Sequence, residues 1–224
     1  FVCIRLISPV FRPLQQQECV MSLYLILIPF ISSLFLLLAR PAASRSIALA
    51  ASLANLAITL FALAGFNGDG SFNHEFSVPW VSGAGIHFRL GMDGISMLMV
   101  LLSNLLAPLI ILSSDGEKYR PEARYFGLLL MMLGALNGVF MALDGLLFYV
   151  FYELALIPIY FICAIWGGDN RIRVTMKFFI YTFVGSLFML VALIYMYLQT
   201  PGTHSFLWED LVNVQLSSSA AWWV

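Results

Sequence analysis

One acid lies deep inside an apolar run of this 224-residue chain: Glu153, in Phe148-Tyr-Val-Phe-Tyr-Glu-Leu-Ala-Leu-Ile-Pro158. It follows Asp144 by nine residues. At 1.5 Å rise per residue that places it about 13 Å in from the helix end, near a bilayer midplane. An ionised carboxylate at that depth costs about 3 kcal/mol or more, so it must face the interior of a helix bundle, find a partner or stay protonated. Proton binding and release is the chemistry such a group offers. The structural alternative is a hydrogen-bonded glutamate that only holds helices together.

Five residues on the same or nearby helical runs bear on that chemistry. Pro158, five residues after Glu153, leaves the carbonyl of Leu154 without its helical N–H partner, which permits a kink and a hydrated pocket or merely a kink that packs. Lys177 lies about 10 Å inside the opposite surface and Glu153 about 20 Å inside it, so direct contact is doubtful and water or a third helix would have to bridge them. Lys177 shares a face with Tyr181 at i+4, and it can equally be a lysine snorkelling to the interface. Asp93 and Asp144, in Met92-Asp93-Gly94 and Leu143-Asp144-Gly145, sit where helix N-caps explain them without transport. Gly134-x-x-x-Gly138 reads as a close-approach face.

The elements that must position these groups follow from composition. The chain is 61% hydrophobic and only 10% charged, whereas soluble domains carry roughly a quarter charged residues. This is an all-α integral membrane protein. Uncharged stretches bounded by Arg40-Pro41, Gly65–Gly70, Asp115-Gly116, Asp144-Gly145, Gly167–Asn170 and Pro201-Gly202 predict six spans of about 20 residues each. They fall near 22–39, 46–66, 93–114, 125–143, 145–166 and 173–198. The connection 66–92 can carry short strands or an interfacial turn, which the sequence does not specify. Connections after spans one, three and five hold Arg40, Arg45, Lys118, Arg120, Arg124, Arg171, Arg173 and Lys177. Those after spans two, four and six hold only Arg89. The basic side is therefore cytoplasmic and the chain starts outside. Residues 1–20 carry Arg5 and Arg12 on the wrong side for that orientation and a polar run from Gln15 to Glu18. They read as a non-native or disordered leader, with the transmembrane part running from 21 to 224.

Several function classes drop out. A net charge of −1 gives no basic excess for nucleic acid. Cys3, Cys19 and Cys163 form no C-x-x-C, His74, His87 and His204 fall in or beside loops, and no H-E-x-x-H, G-x-S-x-G, G-x-G-x-x-G or Walker loop occurs. No cofactor or metal site is readable.

Taken in order, Ile26-Leu-Ile-Pro29-Phe30, Leu90-Gly-Met-Asp93-Gly94-Ile-Ser96, Asp144 leading to Phe151-Tyr-Glu153-Leu-Ala-Leu-Ile-Pro158, and Lys177-Phe-Phe-Ile-Tyr181-Thr182 resemble the antiporter-like subunit M of NADH-quinone oxidoreductase, respiratory complex I. The resemblance covers Met21 onward. It implies a proton-pumping membrane-arm subunit of fourteen helices in two inverted repeats. The present chain is an N-terminal piece that enters the first repeat near residue 125. It also implies a relay in which Glu153 faces a lysine on a broken seventh helix, beyond the six spans here, with Lys177 as the local cation and Pro158, Tyr181, Asp144 and Asp93 in support. NAD, FMN, iron–sulfur clusters and quinone belong to partner subunits. The partners are other membrane-arm subunits and the lipid bilayer. The location is the bacterial inner membrane, or the mitochondrial inner membrane in an organelle. A multi-chain Na+/H+ antiporter, a membrane-bound hydrogenase and a non-pumping scaffold are the alternatives.

Overall fold

The computed structural model describes residues 12–66, 71–114, 119–200 and 204–214. Among the described residues six helices are long and apolar enough to cross a membrane. They are α1 (Arg12–Ala39), α2 (Ser44–Ala64), α3 (Gly94–Ser113), α4 (Glu122–Met141), α5 (Gly145–Trp166) and α6 (Arg171–Gln199), in the order read from the charge gaps. A short α7 (Trp208–Val212) follows. Most boundaries fall within about three residues of expectation, because Arg40-Pro41, Pro121 and Gly167 end or start the apolar runs. The expected leader is the exception: residues 12–20 are helical and continuous with α1. Pro13 sits in the first turn, where its missing N–H costs nothing, and Gln15, Gln16, Gln17 and Glu18 are good helix formers, so polarity ends the apolar span at Val20 without ending the helix. Residues 1–11 lie outside the described part.

Helix α4 is the centre of the bundle. It packs against α1, α2, α3 and α5, while α6 lies on the far side of α5 and leaves most of its surface open. Between helices in lipid there is little hydrophobic driving force, so close approach and hydrogen bonds decide the arrangement. The sequence supplies both. A Cβ at Gly138 would overlap the ring of Phe151 on α5, and one at Gly134 would press on Phe30 of α1. The two glycines expected to form one close-approach face thus each admit an aromatic ring, from different helices.

The long connection is a β-hairpin, β1 (Asn73–Val81) and β2 (Ile86–Met92), antiparallel with Phe76 opposite Leu90 and Ser77 opposite Arg89. Leu90 and Met92 are fully buried, and Phe88 meets Phe151 edge-on with centroids 6.4 Å apart. The turn places Gly85 at φ +62°, where a Cβ would also collide with the carbonyl of His204, so this position requires glycine. Extended backbone at Ala142–Asp144 bridges β2 on one side and the segment before α7 on the other. Leu143 N–H donates to the Arg89 carbonyl (2.9 Å), Gly145 N–H to Phe206 (2.8 Å) and Trp208 N–H to Leu143 (3.0 Å). Arg89 pairs with Glu75 (3.4 Å) and Glu209 (3.1 Å) across this cap. Burial alone would lower the Arg89 pKa, yet Glu209 and Glu75 outweigh it and hold the guanidinium charged.

Candidate functional site

Glu153 lies midway along α5, with Pro158 buried five residues further on in the same helix. Its Oε1 is buried and has no hydrogen-bond partner among the described residues. Tyr149 lies one turn earlier on the same face of α5. Phe151 is two residues from Glu153, about 200° away around the helix, and packs into α4. The carboxylate is therefore turned away from the centre of the bundle and toward α6.

On α6 the buried residues are Thr175 and Ser186. Thr182 lies between them on the same face, since offsets of seven and four residues return to within about 40° in a helix of 3.6 residues per turn. Thr182 Oγ1 donates to Phe178 (2.9 Å) and Phe179 (3.0 Å), and Ser186 Oγ to Phe183 (2.8 Å). Each hydroxyl satisfies a backbone carbonyl of its own helix and keeps lone pairs for a second partner. Lys177 is two residues from Thr175, about 200° around the helix, and is exposed, as is Tyr181 at 77%. Lys177 forms no ion pair with Glu153. The structure therefore does not join the two as a relay pair, and Tyr181 lies on the outward face with Lys177, not beside the glutamate. The reason is angular. The residues that bind α6 to α5 have a helical phase opposite to that of Lys177.

The two aspartates cap helices. Asp93 accepts the Ser96 amide at 2.7 Å and starts α3. That bond holds its carboxyl below the usual carboxylate range, although burial opposes the shift. Asp144, 1% exposed, accepts from Leu146 and Leu147 N–H through Oδ1 (3.0 and 3.1 Å) and from His87 N–H through Oδ2 (3.0 Å). It therefore fixes the start of the Glu153 helix and ties the hairpin to it.

A second polar cluster escaped sequence reasoning. Asn55 (α2), Asn104 (α3) and Asn137 (α4) are fully buried and mutually bonded. Asn55 Nδ2 donates to Asn104 Oδ1 (2.9 Å), and Asn104 Nδ2 to Thr59 Oγ1 (3.1 Å) and Asn137 Oδ1 (3.3 Å). Asn55 and Asn137 both donate to the Leu25 carbonyl of α1, at 3.1 and 3.0 Å. That carbonyl is available because residue i+4 is Pro29, which has no N–H to offer. Amides inside apolar runs together with a proline four residues after Leu25 were the signal. The cluster binds four helices, and Asn55 Oδ1 alone in it lacks a partner. Among the described residues no three His, Cys, Asp or Glu side chains converge on a metal position.

Six helices able to span a membrane, four of the others packed on α4 and α6 on α5, with a β-hairpin and a partly buried glutamate on α5, define a polytopic membrane protein. Residues 142–223 match the family described as "NADH:quinone oxidoreductase/Mrp antiporter, TM". Subunit M of NADH-quinone oxidoreductase from Rhodobacter capsulatus is 41% identical over 167 residues, 73% of this chain and 32% of that protein. F(420)H(2) dehydrogenase subunit M from Methanosarcina mazei is 40% identical over 165 residues, 72% of this chain and 33% of its own length. The respiratory complex I structure from Thermus thermophilus with bound NADH contains a chain that superposes with a TM-score of 0.79. The two are 35% identical over 91% of this chain and 41% of that one. The chain belongs to the antiporter-like subunit M family of NADH-quinone oxidoreductase, and it spans about a third of the length of the curated relatives it matches.

Proposed function

We propose that the chain takes part in proton translocation within a membrane-arm subunit of an NADH-quinone oxidoreductase, with Glu153 as the group that binds and releases the proton. The observation that carries this reading is the Glu153 side chain itself: a mid-membrane carboxylate with one buried oxygen lacking a partner. A structural glutamate would have both oxygens satisfied, because an unfilled buried acceptor costs about 1–3 kcal/mol. Protonation of that oxygen removes the charge, and a cation or water approaching the carboxylate would favour its release. The driving cation is supplied from outside the α5–α6 pair, since Lys177 faces away. Electron transfer with NAD, FMN, iron–sulfur clusters and quinone belongs to partner subunits. The membrane is the bacterial inner membrane, with the basic ends of the helices cytoplasmic.

A multi-chain Na+/H+ antiporter is the second reading. It is favoured by the description of the family matching 142–223, which spans both kinds of complex. The relatives at 40% and 41% identity are redox-complex subunits, and this places the oxidoreductase reading first.

The test is substitution in the whole complex. Glu153→Gln keeps size and a hydrogen-bonding amide but cannot carry a proton. It should leave assembly intact and reduce proton uptake into vesicles, normalised to assembled complex, by about 10²-fold or more, the scale of a lost proton-transfer group. Glu153→Asp should retain part of the activity. Near-normal pumping in Glu153→Gln would leave the scaffold reading ahead.

A further inference from the structure

The face of α6 that turns away from α5 carries charge only at its basic end. Arg173 and Lys177 lie on it four residues apart, so their side chains are neighbours, and Ile180, Val184 and Val191 continue the same face. All five are exposed. A concavity of about 700 Å³ lies against the first turns of this face, lined by Asp169, Asn170, Arg171, Arg173, Met176 and Lys177 among others. It holds three cations and one carboxylate, Asp169, and neither Arg173 nor Lys177 forms an ion pair among the described residues. An excess of positive charge therefore faces outward with no anion of the described protein to meet it. From Phe178 to Gln199 the helix has no charged residue and rises about 32 Å, close to a hydrocarbon core of about 30 Å. Arg173 and Lys177 consequently stand in the headgroup layer, with exposed apolar side chains directly beneath them.

We propose that this face is a binding site for an anionic phospholipid of the surrounding membrane. The phosphate sits between Arg173 and Lys177, and an acyl chain lies along Ile180, Val184 and Val191. A guanidinium presents two parallel N–H groups to phosphate oxygens and an ammonium adds a mobile point charge, so the pair recognises a phosphate better than either does alone. A zwitterionic headgroup brings its own ammonium beside the phosphate and gains less. A second protein helix laid here would strand two cations unless it carried acids at the same depth, because a buried charge without a counter-ion is costly. A phospholipid leaves both cations in the hydrated headgroup layer and covers only the apolar surface below. The site is on the opposite side of α6 from Glu153, so lipid binding and the proton step are separate readouts.

The experiment uses the assembled complex, depleted of lipid in neutral detergent and titrated with phosphatidylglycerol or phosphatidylcholine bearing a photoreactive acyl chain. Affinity is read from the half-saturation of labelling. Phosphatidylglycerol should label the stretch from Ile180 to Val191, and phosphatidylcholine should bind there at least about fivefold more weakly. Each cation beside a charged headgroup contributes about fivefold in affinity, so Arg173→Gln combined with Lys177→Gln should weaken phosphatidylglycerol binding about 30-fold. Arg124→Gln, which removes an exposed charge from the basic side of the bundle, should change it by less than about twofold. Equal affinity for the two lipids, or equal losses in the double variant and Arg124→Gln, overturns the proposal, since either reduces the effect to general surface charge. Displacement of the lipid by millimolar inorganic phosphate overturns it in favour of a free-anion site. Absence of labelling between Ile180 and Val191 in the intact complex overturns it in favour of a protein partner on this face. Should the double variant fail to assemble, Arg173→Gln and Lys177→Gln taken singly should each weaken binding about fivefold, and unchanged affinity in both overturns it.

Discussion

Single amides do more to hold this bundle together than any single apolar contact, because lipid offers apolar side chains nearly the same environment as a neighbouring helix. Asn104 is the extreme case. It donates to Thr59, to the Val100 carbonyl and to Asn137, and accepts from Asn55 and Asn137. Interhelical bonds in membranes average about 0.6 kcal/mol and reach about 1.7, and removing one shared partner strands the rest. Asn104→Ala should therefore destabilise the folded bundle by about 1–3 kcal/mol, read as a lower midpoint in detergent-mediated unfolding. Ser103→Ala, next in sequence but only partly buried and with its hydroxyl returned to the Met99 carbonyl of its own helix, should change the midpoint by no more than about 0.5 kcal/mol. Equal effects of the two would mean that the amide cluster contributes nothing beyond helix propensity. At this scale Glu153 and the two capping aspartates were legible from type and depth. The asparagines were passed over because an amide carries no charge, and so leaves no mark in a reading built on charge gaps.

At the scale of elements, the start of α5 controls both the hairpin and the glutamate, through the two separate oxygens of Asp144. Oδ1 caps α5 at Leu146 and Leu147, and Oδ2 holds the His87 amide of β2. Asp144→Ala should cost about 1–2 kcal/mol from the cap alone, with faster hydrogen exchange at Leu146, Leu147 and His87. Asp144→Asn keeps an oxygen for the cap and puts an amide N–H2 where an acceptor is needed, so exchange should quicken at His87 and stay slow at Leu146 and Leu147. Uniform exchange across the three amides in Asp144→Asn would show that the hairpin is not tied through this residue. The connection was expected to carry short strands or an interfacial turn and no pairing could be assigned, because the edge of β2 is held by Leu143, far away in sequence, through the Arg89 carbonyl. The helix spans were plain, since about 20 apolar residues between charges admit little else.

For the whole molecule, the asymmetry of Lys and Arg fixes an expected orientation. The connections at Arg40–Arg45, Arg120–Arg124 and Arg171–Arg173 share one side, and the hairpin with Arg89 lies on the other. Reporter fusions after Pro41, Glu117 and Asn170 should report cytoplasm, and those after Asn73 and Gly202 the outside. The opposite pattern would invert every depth counted from the basic surface.

Composition and charge spacing alone determined that this is a membrane protein, how many helices cross, where each begins to within a few residues, and that one carboxylate lies at mid-depth. These are local properties: each follows from the cost of placing a charge or a bare peptide group in hydrocarbon. The order of motifs pointed to the family. Which residues meet was settled by tertiary structure, because helical phase and neighbour identity are set by long-range contacts such as Gly138 against Phe151 and Leu25 against two asparagines. Spacing placed Lys177 on the next helix, about 10 Å nearer the basic surface than Glu153, with direct contact doubtful. The rotation of α6, fixed by the burial of Thr175 and Ser186, turned Lys177 outward.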